Sequence, residues 1–402
     1  MPALGYPAQS PGHAALPLDS AFVKAAARAA GFHACGVAEA RPLDPAPLDR
    51  VLAAGAEADM VWLRTQRAER LDPARLLPGV RSVVAVALAY GAAGGEPPAD
   101  DEAEVARYAR GRDYHAVMKR KLRALVAALS ERDPGARCFP SSDVAPVMEK
   151  VWAERAGIGW VGKNGCLITE RWGSWVLLAT VLLDRALEPD APHPERCGSC
   201  AACLPACPTG AITEPGFVDA RRCISFWTIE RRGEIPAEMA GRLGRWVFGC
   251  DDCQTVCPWN RRPEPACDPE LVARPGQAAL GIAGLLALGE EEYRARFNGT
   301  SLARARHDGL VRNGLLAAGR SGDARYAPAV RERLESPYPG VRAAARWALE
   351  RIEERGGATP TPTPTATSTA TATSSATATA TSSATSSSPS SSSGSGSAAD
   401  PR

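Results

Sequence analysis

Apolar residues along the first half of the chain fall in two kinds of register. Val83–Tyr90 (VVAVALAY) is a continuous apolar run and Trp175–Leu183 (WVLLATVLL) an apolar run broken only by Thr180, the pattern of strands covered on both faces. Ala21–Ala30 reads as a short helix, and His115–Arg132 places Met118, Leu122, Leu125 and Leu129 on one helical face. A further helix is expected over Pro146–Ala156, with Pro in its first turn and Gly157 as its stop. From about Pro275 helical spacing returns, in Gln277–Leu288, Glu290–Arg296, Arg304–Arg320, Ala324–Ser336 and Val341–Arg355. The last three resemble the paired helices of HEAT-like repeats, with Gly319, Gly322, Pro337 and Pro339 at the turns. Between 191 and 262 neither period holds. Cys, Pro and Gly replace the aliphatic residues there, so metal-bound sulfur must stand in for a core.

The registers predict an α+β chain in four parts. Residues 18–190 form an α/β region with helices on the faces of a sheet. Residues 191–262 form a cysteine-rich region, 275–356 a helical segment, and 357–402 a tail. The tail is almost wholly Thr, Ser, Ala and Pro and is expected to be disordered, because burial cannot offset its ordering entropy. The longest apolar stretch, Trp175–Leu183, is about half of what a bilayer span needs, so no membrane partner is expected. The first 18 residues carry no Lys, no Arg and no continuous apolar run, which points away from a secretory signal and to a cytoplasmic, reducing setting.

Twelve cysteines in such a setting argue for metal or redox chemistry rather than disulfides. Cys35, Cys138, Cys166 and Cys267 are scattered and read as small buried hydrophobes. The other eight are patterned. Cys197-x2-Cys200-x2-Cys203-x3-Cys207-Pro208 is the bacterial ferredoxin run, in which three thiolates wrap one cubane and the fourth reaches a second. Cys223 and Cys250-x2-Cys253-x3-Cys257-Pro258 form a second set. Two [4Fe–4S] clusters with exchanged fourth ligands follow: Cys197, Cys200, Cys203 and Cys257 on one, Cys207, Cys223, Cys250 and Cys253 on the other. A zinc ribbon is the competing reading of CxxC pairs, and the two xxxCP endings weigh against it. Cys223 stands 27 residues before Cys250, so the insertion with Arg221, Arg222, Arg231, Arg232, Arg242 and Arg245 is expected to loop out of the ferredoxin core.

Charge adds a direction. Residues 294–355 hold 13 Arg against 7 acidic residues, giving +6 in a chain of +2, so the helical end is the basic one. Two cubanes alone would make a small electron carrier. The size of the N-terminal region implies that it holds whatever receives the electrons.

Ser142-Asp-Val-Ala-Pro-Val-Met-Glu-Lys150 and Ala156-Gly-Ile-Gly-Trp-Val-Gly-Lys-Asn164 resemble the epoxyqueuosine reductase family. So do Arg107-Tyr-Ala-Arg-Gly-Arg-Asp-Tyr-His115, Phe248-Gly-Cys-Asp-Asp-Cys-Gln254 and Gly309-Leu-Val-Arg-Asn313. The resemblance runs from about 18 to 355. It implies a cobalamin-dependent iron–sulfur reductase that converts epoxyqueuosine to queuosine at the wobble position of a tRNA anticodon, the last step of queuosine biosynthesis. It further implies a nitroreductase-like cobalamin domain, a bacterial ferredoxin-like two-cluster domain and a HEAT-like tRNA-binding segment. Asp143 matches the family's proton donor and the eight patterned cysteines its cluster ligands. Arg67, Arg107, Ser225, Cys250 and Asp251, with Asp143, fall where the family contacts the corrin.

Reductive opening of an epoxide needs a low-potential two-electron nucleophile, a one-electron supply and an acid. Asp143 also has a plain reading as a helix-start carboxylate before Pro146. The two readings conflict, since a helix N-terminus lowers the pKa of an Asp whereas a proton donor wants it raised. Asp113-Tyr-His115-Ala-Val-Met118 has Met where the Asp-x-His-x-x-Gly pattern of histidine-ligated cobalamin requires Gly, so base-off cobalamin with no histidine ligand is expected. Arg304, Arg306 and Arg312 are expected among the contacts to an anticodon stem-loop's phosphates, and no DNA partner is expected. The electron donor is a low-potential one that the sequence leaves unnamed. A cobalamin and iron–sulfur reductive dehalogenase is the alternative enzyme, and a two-cluster electron-transfer protein the alternative without catalysis.

Overall fold

The computed structural model describes residues 17–91 and 98–357, so the readings of the extreme N-terminus and of the tail lie outside the described residues. The strands that matter for the site are β1 (Ala34–Glu39), β2 (Ser82–Ala89), β3 (Glu102–Val105), β4 (Cys138–Ser141), β5 (Val176–Leu183), β6 (Trp246–Phe248) and β7 (Ala279–Gly281). The helices are α1 (Ser20–Ala29), α2 (Tyr114–Arg132), α3 (Glu149–Arg155), α4 (Ile282–Ala287), α5 (Glu290–Phe297), α6 (Arg306–Ser321), α7 (Ala327–Glu332) and α8 (Pro339–Gly357).

The two apolar runs become β2 and β5, the centre of a four-stranded sheet in the order β1-β2-β5-β4. Every pairing in it is antiparallel. All eight positions of β2 are buried, because alternate side chains enter two different cores. Val84, Val86 and Leu88 pack with Val23 of α1 and with Met118, Leu122 and Leu125 of α2. Val83 and Ala85 pack on the other face with Trp152 and Ala153 of α3.

Two expected helices are corrected. The helix placed over Pro146–Ala156 starts only at Glu149. Residues 142–148 form a turn in which Asp143 takes the left-handed conformation, φ +57°. The fixed φ of Pro146 serves a turn as well as a first helical position, and the backbone here takes the turn. The helix placed over Gln277–Leu288 is strand β7 followed by α4, because Ala279–Gly281 pairs antiparallel with β3.

Strand β3 also pairs parallel with β6, which makes a second sheet ordered β6-β3-β7 from three distant stretches of chain. The insertion between Cys223 and Cys250 does leave the cysteine-bearing turns, and it ends in a core. Ile224, Phe226, Trp227, Leu243, Val247 and Phe248 pack with Leu310, Val311 and Leu315 of α6 and Ala345 of α8. Helices α6 and α8 approach so closely that a Cβ on Gly319 would lie 2.7 Å from the Ala348 Cα. The described residues belong to one compact unit, and no helix among them is long and apolar enough to cross a membrane.

Candidate active site and cluster ligands

The turn after β4 presents the Asp143 carboxylate to solvent. Its side chain is 69% exposed, yet protein groups crowd its inner side. The Tyr114 hydroxyl donates to Asp143 Oδ2 at 2.5 Å, and His115 Nε2 stands 3.8 Å from the same oxygen. Asp113 caps α2 by accepting the His115 backbone N–H, and its Oδ1 lies 2.8 Å from His115 Nδ1. Glu149 Oε1 accepts the Asp143 N–H at 3.0 Å and so holds the strained turn.

These contacts fix where the protons sit. Burial pushes the Asp143 carboxyl up, but bonds to His115 and Tyr114 overcome it and leave the carboxyl below the ordinary range. For His115 burial acts downward and the carboxylates of Asp113 and Asp143 win, raising it to about 9. Glu149 is raised to about 7 by burial. Around neutral pH the ionised Asp143 therefore sits between two protonated neighbours, an imidazolium and a phenol. The expectation that Asp143 caps a helix is corrected, because it lies six residues before the first residue of α3. Its pKa is lowered, as that reading held, but by side chains of α2 rather than by a helix dipole.

An aromatic face lies beside this carboxylate. Tyr108 packs edge-on against Tyr114, with centroids 5.9 Å apart, and against Phe248 at 6.3 Å. The Arg107 guanidinium lies 4.6 Å above the Trp175 ring, and Trp175 meets Tyr90 edge-on. Asp251 is 2% exposed, accepts the Arg107 backbone N–H at 2.8 Å, and is raised to about 6 by burial. Arg107, Asp143, Cys250 and Asp251 are thus brought to one region. Ser225 flanks a π-helix at Phe226–Glu230, two residues after Cys223. Arg67 stands apart, forked onto Asp49 with distances of 2.5 and 2.6 Å.

Arg70 and Trp62 escaped the sequence reading, and Arg304, expected only as a phosphate contact, stands beside Asp143. Arg70 faces Asp143 and Glu149, and its Nε is buried without a hydrogen-bond partner. Arg304 forks onto Glu230 (3.0 and 2.6 Å), lies 5.8 Å from the Trp62 ring, and its charge is felt by Asp143. Tyr114 and His115 were legible within the Arg107–His115 motif, and Glu149 within Ser142–Lys150. Nothing in sequence spacing pointed to Trp62 or Arg70.

The eight patterned cysteines are all free thiols, and among the described residues no three Cys, His, Asp or Glu side chains are drawn together tightly enough to hold a metal ion as they stand. Cys203 and Cys257 are each close enough to Cys197 and Cys200 to feel their charge. The Trp160 indole N–H donates to Cys197 Sγ at 3.4 Å, and Trp160 packs with Cys257. In the second group Cys223 feels Cys207, while Cys253 feels Cys250 and Cys223. The Ala211 N–H donates to Cys207 Sγ at 3.2 Å. N–H donors aimed at sulfur suit thiolates that carry an iron–sulfur cluster. Burial raises the Cys35 and Cys138 thiols to about 12, as for inert core residues. Cys166 departs from that reading, since its thiol is hydrogen-bonded to Cys253 in the second group.

The basic segment is less free than its composition suggests. Arg312 is 2% exposed and bonded to carbonyl groups, which removes it from any RNA-facing role and corrects that expectation. Arg294, Arg325, Arg331 and Arg351 pair with neighbouring carboxylates. Arg296, Arg306 and Arg346 are exposed, with no carboxylate in ion-pair range among the described residues. The insertion arginines are also engaged: Arg221 with Asp219, Arg231 with Asp59, and Arg232 and Arg245 with backbone carbonyls.

Comparison with known proteins agrees with this geometry. Residues 196–260 match the family model described as a 4Fe-4S double cluster binding domain. Residues 70–143 match the model described as Epoxyqueuosine reductase QueG, DUF1730. The chain is 45% identical over 312 residues to the epoxyqueuosine reductase of Gloeobacter violaceus, covering 76% of this chain and 97% of that protein. Two solved structures superpose with a TM-score of 0.75 at 33% identity, each covering 82% of this chain and 89% of theirs. One is an epoxyqueuosine reductase with an epoxyqueuosine-modified tRNA-Tyr stem loop. The other is the Bacillus subtilis enzyme with its catalytic aspartate loop swung out of the active site.

Proposed function

The chain belongs to the epoxyqueuosine reductase family, oxidoreductases of queuosine biosynthesis with a double [4Fe–4S] domain, and we propose that it reduces epoxyqueuosine to queuosine at the wobble position of a tRNA anticodon using cobalamin. The observation that carries this reading is the Asp143 carboxylate, open to solvent on one side and in contact with Tyr114 and His115 on the other.

Cobalamin, when bound, supplies the two-electron cobalt nucleophile that an epoxide requires. Arg107, held over the buried Trp175 ring rather than in an ion pair, and Asp251, next to Cys250 and bonded to the Arg107 N–H, would be the polar groups that meet the macrocycle, with Ser225 a further candidate beside Cys223. Arg67, tied to Asp49, is left as a peripheral candidate. Both His115 ring nitrogens face carboxylates, Asp113 and Asp143, so the reading of a base-off cofactor without a histidine ligand is kept.

Conversion of an epoxide to an alkene consumes two electrons and two protons and releases water. Asp143, ionised at rest, relays protons to the oxygen that departs, and the two protons come from His115, raised to about 9, and from the Tyr114 hydroxyl, both of which face it. Glu149 holds the turn through the Asp143 N–H, which fixes the carboxylate in its solvent-facing position. The cysteines would hold the iron–sulfur clusters that pass electrons one at a time from a low-potential donor.

The tRNA stem-loop meets the chain beside Asp143, where Trp62 offers a ring next to Arg304, and along exposed Arg296, Arg306 and Arg346. This reading divides the labour among a nitroreductase-like cobalamin domain over 18–190, a ferredoxin-like domain over 191–262 and a HEAT-like tRNA-binding segment over 275–356. A tRNA substrate and a low-potential donor set the reaction in the cytoplasm. The test is incubation of reconstituted protein and cobalamin with epoxyqueuosine-containing tRNA and a low-potential reductant. Queuosine in the digested tRNA is expected, and its absence from a cluster-replete, cobalamin-loaded preparation would overturn the reading.

A further inference from the structure

The first cysteine group takes three of its four members from one short run, so local sequence sets most of its geometry. In the second group Cys223 and the Cys250–Cys253 pair lie on chain segments 27 residues apart, and nothing local fixes the distance between them. A brace across that gap is therefore needed, and one is present, buried in the C-terminal core.

The π-helix at Phe226–Glu230 begins three residues after Cys223, and strand β6 ends two residues before Cys250. The π-helix breaks at Arg231, so carbonyls near its end lack helical partners. Arg312 and Asn313 of α6 supply them. Arg312 Nη2 donates to the Trp227 carbonyl at 2.9 Å, and Nη1 to those of Arg231 (3.0 Å) and Gly233 (2.8 Å). Its Nε and Nη2 also donate to Asn313 Oδ1, at 3.1 and 3.0 Å, so all five guanidinium N–H groups are used.

Asn313, fully buried, splits its two amide hydrogens. One goes to the Thr228 carbonyl of the π-helix at 2.9 Å, the other to the Val247 carbonyl of β6 at 2.8 Å. Thr228 adds a second tie, since its hydroxyl accepts the Gly249 N–H at 2.9 Å and donates to the Ile224 carbonyl at 2.8 Å. The segment carrying Cys223 and the segment carrying Cys250 are thereby joined at two points. Among the described residues no carboxylate bonds to Arg312. Its charge is solvated by carbonyl dipoles, an arrangement too elaborate for a surface cation and too buried for a phosphate ligand.

We infer that Arg312 and Asn313, with Thr228, are positioning residues for the second iron–sulfur cluster, setting Cys223 against Cys250 and Cys253. The inference rests on the assignment of Cys207, Cys223, Cys250 and Cys253 to one cluster.

The test uses the full chain, anaerobically reconstituted, as Arg312→Lys, Asn313→Leu and the near-isosteric Thr228→Val. Iron, sulfide, the electron paramagnetic resonance spectrum of the reduced protein and both midpoint potentials are measured beside a melting curve. Wild type should hold about eight iron and eight sulfide. Folded variants should fall toward about four of each, or keep eight with the potential of one cluster shifted, and the altered signal should be the one that Cys223→Ser removes. The salt dependence of tRNA binding should match wild type, because these residues touch no phosphate.

Thr228→Val changes one hydroxyl, and it carries the test if the α6 variants do not fold. Eight iron with both potentials unchanged in a folded variant overturns the inference, as does equal loss from both clusters. Wild type with about four iron overturns the cluster assignment instead.

Discussion

Asp143→Asn separates chemistry from architecture unusually well in this site. The residue sits at φ +57°, a conformation that Asn adopts as readily as Asp, so the substitution adds no backbone strain. Asn Oδ1 can still accept from the Tyr114 hydroxyl, and the Asp143 N–H that Glu149 holds is unchanged. What is lost is the charge in two contacts. A hydrogen bond to a charged group exceeds a neutral one by roughly 1 kcal/mol, and a side chain 69% exposed feels less than that, so folding should lose about 1 kcal/mol or less. What is also lost is the carboxylate that takes up a proton and hands it on, which an amide cannot do. General acid catalysis is worth about 10²–10⁴-fold, or roughly 2.7–5.4 kcal/mol of barrier. The assay is single-turnover conversion of epoxyqueuosine in tRNA, with iron, sulfide and cobalamin content and a melting curve on the same preparation. Expected is a rate loss of about two to four decades with full cofactor content and a melting point close to wild type. A variant within a factor of about three of wild type would show that Asp143 is a turn carboxylate and not the acid.

The proton supply makes a pH prediction. His115 is raised from 6.5 to about 9 in the fold, so its stabilisation is complete below pH 6.5 and is lost as pH rises through 9. The stability difference between wild type and His115→Gln, measured by denaturant titration, should therefore shrink between pH 6.5 and 9.5, and a constant difference would refute the ion-pair assignment. Tyr114→Phe removes one of the bonds that hold Asp143 low, so the limb of the pH–rate profile belonging to that carboxyl should move to higher pH; an unmoved limb removes Tyr114 from the relay. Cys257→Ser should damage the cluster held by Cys197, Cys200 and Cys203, and Cys207→Ser the other, as read from their separate resonance signals. Replacing Arg304 and Arg306 with Ala should raise the Michaelis constant for tRNA and flatten its salt slope, whereas ending the chain at Gly356 should change neither, and full affinity in the double variant would move RNA contacts elsewhere.

Local pattern was sufficient wherever one element carried the whole signal. The runs that became β2 and β5 are apolar at nearly every position because both faces of the sheet are covered, and that needs no knowledge of the partner strands. The cysteine spacings reported their own chemistry, because a cubane wrapped by one short run constrains that run alone. Asp143, Tyr114 and His115 were each legible in their own stretches, but that they meet was not. Tyr114 and His115 reach it from a helix that starts 29 residues earlier, and Arg304 from the opposite end of the fold.

Tertiary structure decided the rest wherever the backbone or a charge had two possible uses. Ala279–Gly281 has helical neighbours and became a strand, because β3 offered an edge to pair with. Pro146 fits a first helical turn and serves instead the turn in which Asp143 takes its left-handed conformation. Arg306 and Arg312 are alike in sequence, both basic in a basic helix. One faces water and the other closes five hydrogen bonds in the core, because a helix exposes one side and buries the other, and composition carries no record of which carbonyls will come to meet it.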